Sequence, residues 1–165
     1  MRLFQIQDQK EFMKQLLMGD GFDTFLLSEA SITTFATFMI DGRFHADFLP
    51  ASEQEMLGAE KTGYTLWSRT RPYFYSLMRG KNTPLNFRII FRLAEHNVET
   101  MLKKGGLTLT KEDIDGLFLN IGFDGKSLSC TSGTSLKSFS LDKSVERAWD
   151  ELVERFLKSR GIPFT

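Results

Sequence analysis

Cysteine is nearly absent from this sequence of 165 residues, which contains only Cys130. One cysteine cannot form an intramolecular disulfide, and with two histidines in the chain no Cys/His cluster has the spacing of a zinc site. The first five residues lead directly into polar side chains, so we expect no secretory leader, and no apolar run approaches the roughly 18 residues that a membrane span needs. We therefore expect a cytoplasmic protein with no metal, no cofactor and no membrane contact.

The chain also has a formal net charge of zero at pH 7, because 21 Lys and Arg are balanced by 21 Asp and Glu. This balance excludes a uniformly basic nucleic-acid-binding protein but leaves room for a local basic patch. The composition is 41% hydrophobic and includes 16 Phe, which supplies enough apolar volume for one core. We expect a single domain over residues 1–165.

Four segments carry apolar residues at helical spacing, and each is followed by a glycine that can end a helix: residues 8–18, 70–79, 97–104 and 143–160. Asp8 and Glu11 have the spacing of a capping box, and Thr70 and Asp142 are the expected caps of the second and fourth helices. The helices should each pack through one face.

Extended patterns lie between these helices, over residues 22–49, 85–93 and 117–141. Residues 85–93 alternate strictly between apolar and polar side chains, which is typical of a strand with one buried face. Together with the helices, these patterns predict an α+β fold, an antiparallel sheet with helices mainly on one face.

Two Asp-Gly pairs have the composition of two-residue hairpin turns. A turn at Asp41-Gly42 would place Met39 opposite Phe44 and Phe35 opposite Phe48, all on the core face. A turn at Asp124-Gly125 would place Leu119 opposite Cys130, making that thiol part of the core.

The chain shows signs of internal duplication. Residues 1–83 and 84–165 follow the same order of strand, short helix, hairpin and longer helix. Asp41-Gly42 and Asp124-Gly125 lie 83 positions apart, and Trp67 and Trp149 lie 82 positions apart. If the halves are duplicated, the sheet should have a pseudo-twofold arrangement.

Residues 125–131, a hairpin leading to a long helix that ends at Gly161-Ile162-Pro163, resemble the TATA-box-binding-protein fold in this order of elements. That resemblance implies a saddle of two halves, with a basic underside that binds nucleic acid. Residues 22–48, 79–84 and 131–135 separately resemble a small bacterial family of unknown function. This second resemblance covers most of the chain and implies no activity.

Charge is distributed unevenly along the chain. Residues 1–68 carry 5 basic and 10 acidic side chains, residues 69–104 carry 8 and 2, and residues 105–165 carry 8 and 9. The middle segment could bind an anionic partner, and its candidate residues are Arg69, Arg71, Arg79, Lys81, Arg88 and Arg92. Alternatively, the acidic first segment neutralises these side chains within the fold.

His45 and Asp47 are weak candidates for catalysis. They lie two positions apart on a predicted strand, so they would share a face on which a carboxylate could orient an imidazole for proton transfer. An exposed polar strand face explains the same pattern without catalysis.

These patterns favour a non-catalytic binding or interaction module with a basic surface around residues 69–92, whose partner is a protein or another anionic molecule. An enzyme acting on a small anionic substrate is the first alternative, with Arg88 and Arg92 for binding and His45 and Asp47 for proton transfer. A nucleic-acid-binding domain is a second and less favoured alternative.

Overall fold

The computed structural model describes residues 1–165 and has an α+β fold built on one antiparallel sheet of six strands in the order β1-β6-β5-β4-β2-β3. The strands are β1 (Leu3–Gln5), β2 (Leu26–Thr33), β3 (Thr37–Asp41), β4 (Asn86–Arg92), β5 (Ile114–Phe123) and β6 (Leu128–Leu136). The α-helices are α1 (Gln9–Leu17), α2 (Ala51–Gln54), α3 (Trp67–Met78), α4 (Glu95–Gly105) and α5 (Ser144–Ser159).

Most helix boundaries follow the sequence signals. The Asp8 carboxylate accepts a hydrogen bond of 3.0 Å from the backbone N–H of Glu11, and Asp142 accepts one of 2.8 Å from the N–H of Ser144. The prediction of Thr70 as a cap is wrong, because α3 begins three residues earlier at Trp67. The Trp67 indole in this first turn is fully buried, and its N–H donates to the Leu16 carbonyl of α1 at 3.0 Å.

The four longer helices and one face of the sheet share one hydrophobic cluster of 29 buried residues. Its centre is aromatic, with Phe91 of β4 stacked on Phe25 at 5.3 Å and in edge contact with Trp67 at 5.1 Å. Phe87, Ile89 and Phe91 of β4 are buried while Arg88 is exposed, which confirms the predicted alternation. The opposite face of the sheet carries mostly polar side chains.

The first hairpin differs from its prediction. Strands β2 and β3 pair with Thr33 opposite Thr37, so the turn lies at residues 34–36 and not at Asp41-Gly42. Gly42 instead lies where the backbone after β3 packs closely against the backbone of β2, and an added Cβ would lie 1.9 Å from the Leu27 carbonyl oxygen. Because the turn is displaced, three side chains predicted to face the core are mostly exposed: Phe35, Met39 and Phe48.

The second hairpin lies close to its predicted position. Phe123 pairs with Leu128 and Ile121 with Cys130, so Leu119 faces Ser132 instead of Cys130. The centre of the turn lies one residue later than predicted, so each residue of β5 pairs with a residue of β6 two positions further along. Because side chains alternate between faces with a period of two, every side chain stays on its predicted face. Cys130 is therefore buried as expected, and burial raises the pKa of its thiol.

The structure does not confirm an internal duplication. Strand β4 lies between β5 and β2, whereas β1 lies at an edge and pairs with β6 alone, so the halves do not occupy equivalent places in the sheet. Of the two Asp-Gly pairs only the second lies in a hairpin turn, so the two pairs, 83 positions apart, are not equivalent turns of two repeats.

None of the helices has the length and apolar character required to cross a membrane.

Candidate functional site

Two of the predicted anion-binding arginines lie on α3 and have carboxylate partners. The Arg71 guanidinium forms two hydrogen bonds to Asp23, at 3.0 and 2.8 Å. The Nε–H of Arg69 donates to both oxygens of Glu60, at 2.7 and 3.0 Å. Glu60 is only 3% exposed and also accepts from the Leu66 N–H at 2.9 Å. These pairs therefore fasten the loop before α3 and the segment before β2 to the helix.

Arg88 is neutralised on the polar face of the sheet. Its guanidinium lies 3.3 Å from the Glu29 carboxylate on the neighbouring strand β2, and both side chains are largely exposed. An exposed pair of this kind contributes little to stability. The partners of Arg69, Arg71 and Arg88 all come from residues 1–68, so internal neutralisation holds for half of the candidate residues.

Arg79 and Lys81 have no ion-pair partner and are exposed where α3 leads into β4. They lie beside a groove of about 540 Å³ between α1 and α3. We call it the methionine groove. Its floor is apolar, and its walls include three lysines but no Asp or Glu. Its main residues are Lys10, Lys14, Lys81, Met13, Leu17, Met18, Tyr75 and Met78.

The methionine groove continues toward the sheet. A second depression of about 220 Å³ shares Lys10, Met13 and Met78 with it and reaches Phe87 and Phe123. It too is lined by no carboxylate. The sequence reasoning missed Lys10 and Lys14 because residues 1–68 are acidic as a whole, although the spacing of four residues places both lysines on one side of α1.

Arg92 lies in a separate polar cavity of about 300 Å³ at one end of the sheet. Its guanidinium is 4.3 Å from the ring centre of Tyr64 and 5.0 Å from that of Phe118, and it donates to the Asp115 carbonyl at 2.8 Å. It has no carboxylate partner. Aromatic faces and a backbone carbonyl therefore hold the charge in place without neutralising it.

Two β-bulges flank Arg92. Strand β2 is bulged between Leu27 and Glu29, and β5 is bulged between Ile114 and Gly116. At Gly116 an added Cβ would lie 2.7 Å from the Phe118 ring and 3.2 Å from the Arg92 guanidinium. The glycine thus leaves room for this arrangement, and bulges of this kind often re-aim side chains next to functional sites.

The other charges of the Arg92 cavity are partly paired. Lys111 lies 2.6 Å from Glu99 and 3.0 Å from Glu95, and hydrogen bonds to these two carboxylates raise its pKa. Lys137 is exposed and has no ion-pair partner. The Asp115 carboxylate accepts a hydrogen bond of 3.1 Å from the Ser135 hydroxyl. Arg92 and Lys137 are the unpaired cations of this cavity.

His45 and Asp47 are not on a strand. Residues 46–48 form a 3₁₀ turn, and both side chains are exposed without a hydrogen bond between them. Neither lines the Arg92 cavity or the methionine groove. The strand prediction failed because it depended on the misplaced Asp41-Gly42 turn. In the whole chain no group of three or more His, Cys, Asp or Glu side chains is arranged to hold a metal ion.

The fold and these two sites define an α+β protein with an open apolar groove and a small polar cavity. The chain belongs to the Family of unknown function (DUF5721), whose model matches residues 15–165. This confirms the resemblance to a family of unknown function, and membership assigns no activity. Neither the curated proteins nor the solved structures gave a match, so the resemblance to the TATA-box-binding-protein fold gains no support.

Proposed function

We propose that this protein is an interaction module that binds an acidic, amphipathic segment of a partner protein in the methionine groove. The observation that carries the proposal is the composition of the groove, which combines an apolar floor with three unpaired lysines and no carboxylate. Lys81 and the neighbouring Arg79 belong to the basic segment that the sequence indicates as a binding surface.

The chemistry of the groove favours such a partner. Methionine side chains are flexible and polarizable, so a floor that contains Met13, Met18 and Met78 can adapt to apolar side chains of different shapes. Lysines at the rim would attract acidic side chains and orient the segment, as in other grooves that accept one face of an amphipathic helix.

A fluorescent synthetic peptide of about 18 residues, with leucines on one helical face and glutamates on the other, tests the proposal by anisotropy. We expect it to bind, and we expect the double variant Lys10→Gln/Lys14→Gln to weaken binding about tenfold because two attractive charges are lost. Added salt should weaken binding of the original protein more than that of the variant.

The matched control is Lys103→Gln/Lys104→Gln, which removes two exposed, unpaired lysines from α4. It should leave peptide affinity unchanged. Equal losses in the two double variants would mean that the peptide responds to net charge alone, and a peptide that does not bind at low salt would refute the proposal.

A second candidate function is the binding of a small carboxylate or phosphate compound in the Arg92 cavity. It is favoured by the unneutralised guanidinium of Arg92, which is fixed by Tyr64, Phe118 and the Asp115 carbonyl and has further N–H donors. The cavity volume of about 300 Å³ suits a small ligand. Lys137 would supply a second positive charge.

Inorganic phosphate and succinate are suitable probes for this cavity. In a ¹⁵N NMR titration to about 10 mM, we expect shifts of the Arg92 Nε–H and the Gly116 amide, and Lys137→Met should weaken binding about threefold. The Arg88 Nε–H serves as the internal control, because Arg88 is paired with Glu29 outside the cavity. Equal shifts at Arg88 and Arg92, or no shift at Arg92, would contradict this function.

A further inference from the structure

The two edges of the sheet differ in how they are covered. At the β1 edge, the N–H of Gln5 donates to the Thr165 carbonyl and the N–H of Thr165 donates to the Gln5 carbonyl, each at 3.0 Å. Residues 163–165 therefore cover the Gln5 end of that edge. At the other edge, β3 pairs with β2 on one side and with no strand on the other.

The register shows which groups of β3 point outward. Gly42 donates to the Ser28 carbonyl and Thr34 to the Ala36 carbonyl, so even-numbered residues form the hydrogen-bonded pairs of this hairpin. The alternate residues Thr37, Met39 and Asp41 direct their N–H and C=O groups away from β2. No backbone group elsewhere in the chain bonds to them.

The side chains of this edge are unusually apolar. Met39 is 77% exposed and Phe35 in the adjoining turn is 95% exposed. Phe38 and Ile40 are half-buried at the border of the core. Exposed edge strands commonly carry lysine, proline or a bulge that prevents pairing with another chain, whereas residues 37–41 contain one charge, Asp41, and none of these devices.

We propose that two copies of this chain associate through β3 strands paired antiparallel about a twofold axis at Met39. In this register Met39 lies opposite Met39 of the second copy, Thr37 opposite Asp41, and Phe38 opposite Ile40. The outward groups of residues 37, 39 and 41 then face one another and can form about six hydrogen bonds. The result is a continuous sheet of twelve strands.

A second copy fits this edge because the five residues of β3 complement themselves. The twofold register places no like charges opposite each other, since Asp41 faces a threonine. The Phe38–Ile40 pairs would cover the apolar border that each copy leaves half-exposed. Such an isologous contact closes on itself and yields a dimer instead of a fibre.

Light scattering coupled to size exclusion tests this proposal on the full chain. At about 100 µM we expect twice the monomer mass of 18.9 kDa. Met39→Lys places two like charges opposite each other at the axis and should raise the dimer dissociation constant at least about a hundredfold. Met56→Lys is the control, because Met56 is similarly exposed, at 84%, but lies outside β3. A monomeric wild-type protein, or equal behaviour of the two variants, would overturn the proposal.

Cross-linking tests the register independently. Residues in a hydrogen-bonded antiparallel pair have Cα atoms about 5.5 Å apart, which a disulfide can span. Met39→Cys should therefore give a disulfide-linked dimer on mild oxidation, whereas Met56→Cys should not. Cys130 is buried and should not contribute. A dimer in which Met39→Cys fails to cross-link would refute pairing about Met39.

Discussion

Replacing Gly42 with alanine is expected to lower the free energy of unfolding by about 3 kcal/mol or more. The new Cβ would lie 1.9 Å from the Leu27 carbonyl oxygen and 2.6 Å from the carbonyl carbon, and backbone atoms cannot rotate away as a side chain can. Strand β3 would have to move away from β2 to make room. Urea unfolding followed by circular dichroism measures this loss.

The matched control is Gly122→Ala on β5, where an added Cβ meets no atom within 4 Å and the backbone has no positive φ. Its effect should stay within about 0.5 kcal/mol, since alanine also restricts the unfolded chain. If Gly42→Ala were as mild as the control, β2 and β3 would not pair in the register described and the Asp41-Gly42 turn would again be the better interpretation.

Replacing Phe91 with alanine should cost about 4 kcal/mol, the largest effect of a single core truncation that we expect. Phe91 is fully buried, and its ring centre lies 5.1 Å from Trp67, 5.3 Å from Phe25 and 5.9 Å from Phe22. Rings of that size cannot collapse into the space that a benzyl group leaves. The measurement is again the midpoint and slope of urea unfolding.

Phe139→Ala provides the comparison, because Phe139 is 89% exposed. Its removal should change the unfolding free energy by no more than about 0.5 kcal/mol. Similar losses in the two variants would show that Phe91 does not occupy the centre of the core.

For the predicted anion-binding residues, the sequence indicated that ion pairs could form but not which carboxylates would form them. Counting charges by segment correctly raised the question of whether residues 69–104 are neutralised, and for Arg69, Arg71 and Arg88 they are. The count could not identify the partners, because Asp23 lies 48 positions from Arg71 and Glu29 lies 59 positions from Arg88. It also concealed Lys10 and Lys14 within an acidic segment.

The sequence by itself determined the helices and the central strand, because the spacing of apolar residues and the capping side chains act over a few positions. The alternation of β4, the Asp8 cap and the buried Cys130 all followed from such local patterns. Only the tertiary structure decided the first hairpin. An Asp-Gly pair suits either a turn or a close approach between strands, and the packing of Gly42 against Leu27 selects the second. Long-range packing also placed residues 163–165 against Gln5 at one edge of the sheet and left β3 without a neighbour at the other. Local sequence patterns do not encode contacts between residues so far apart in the chain.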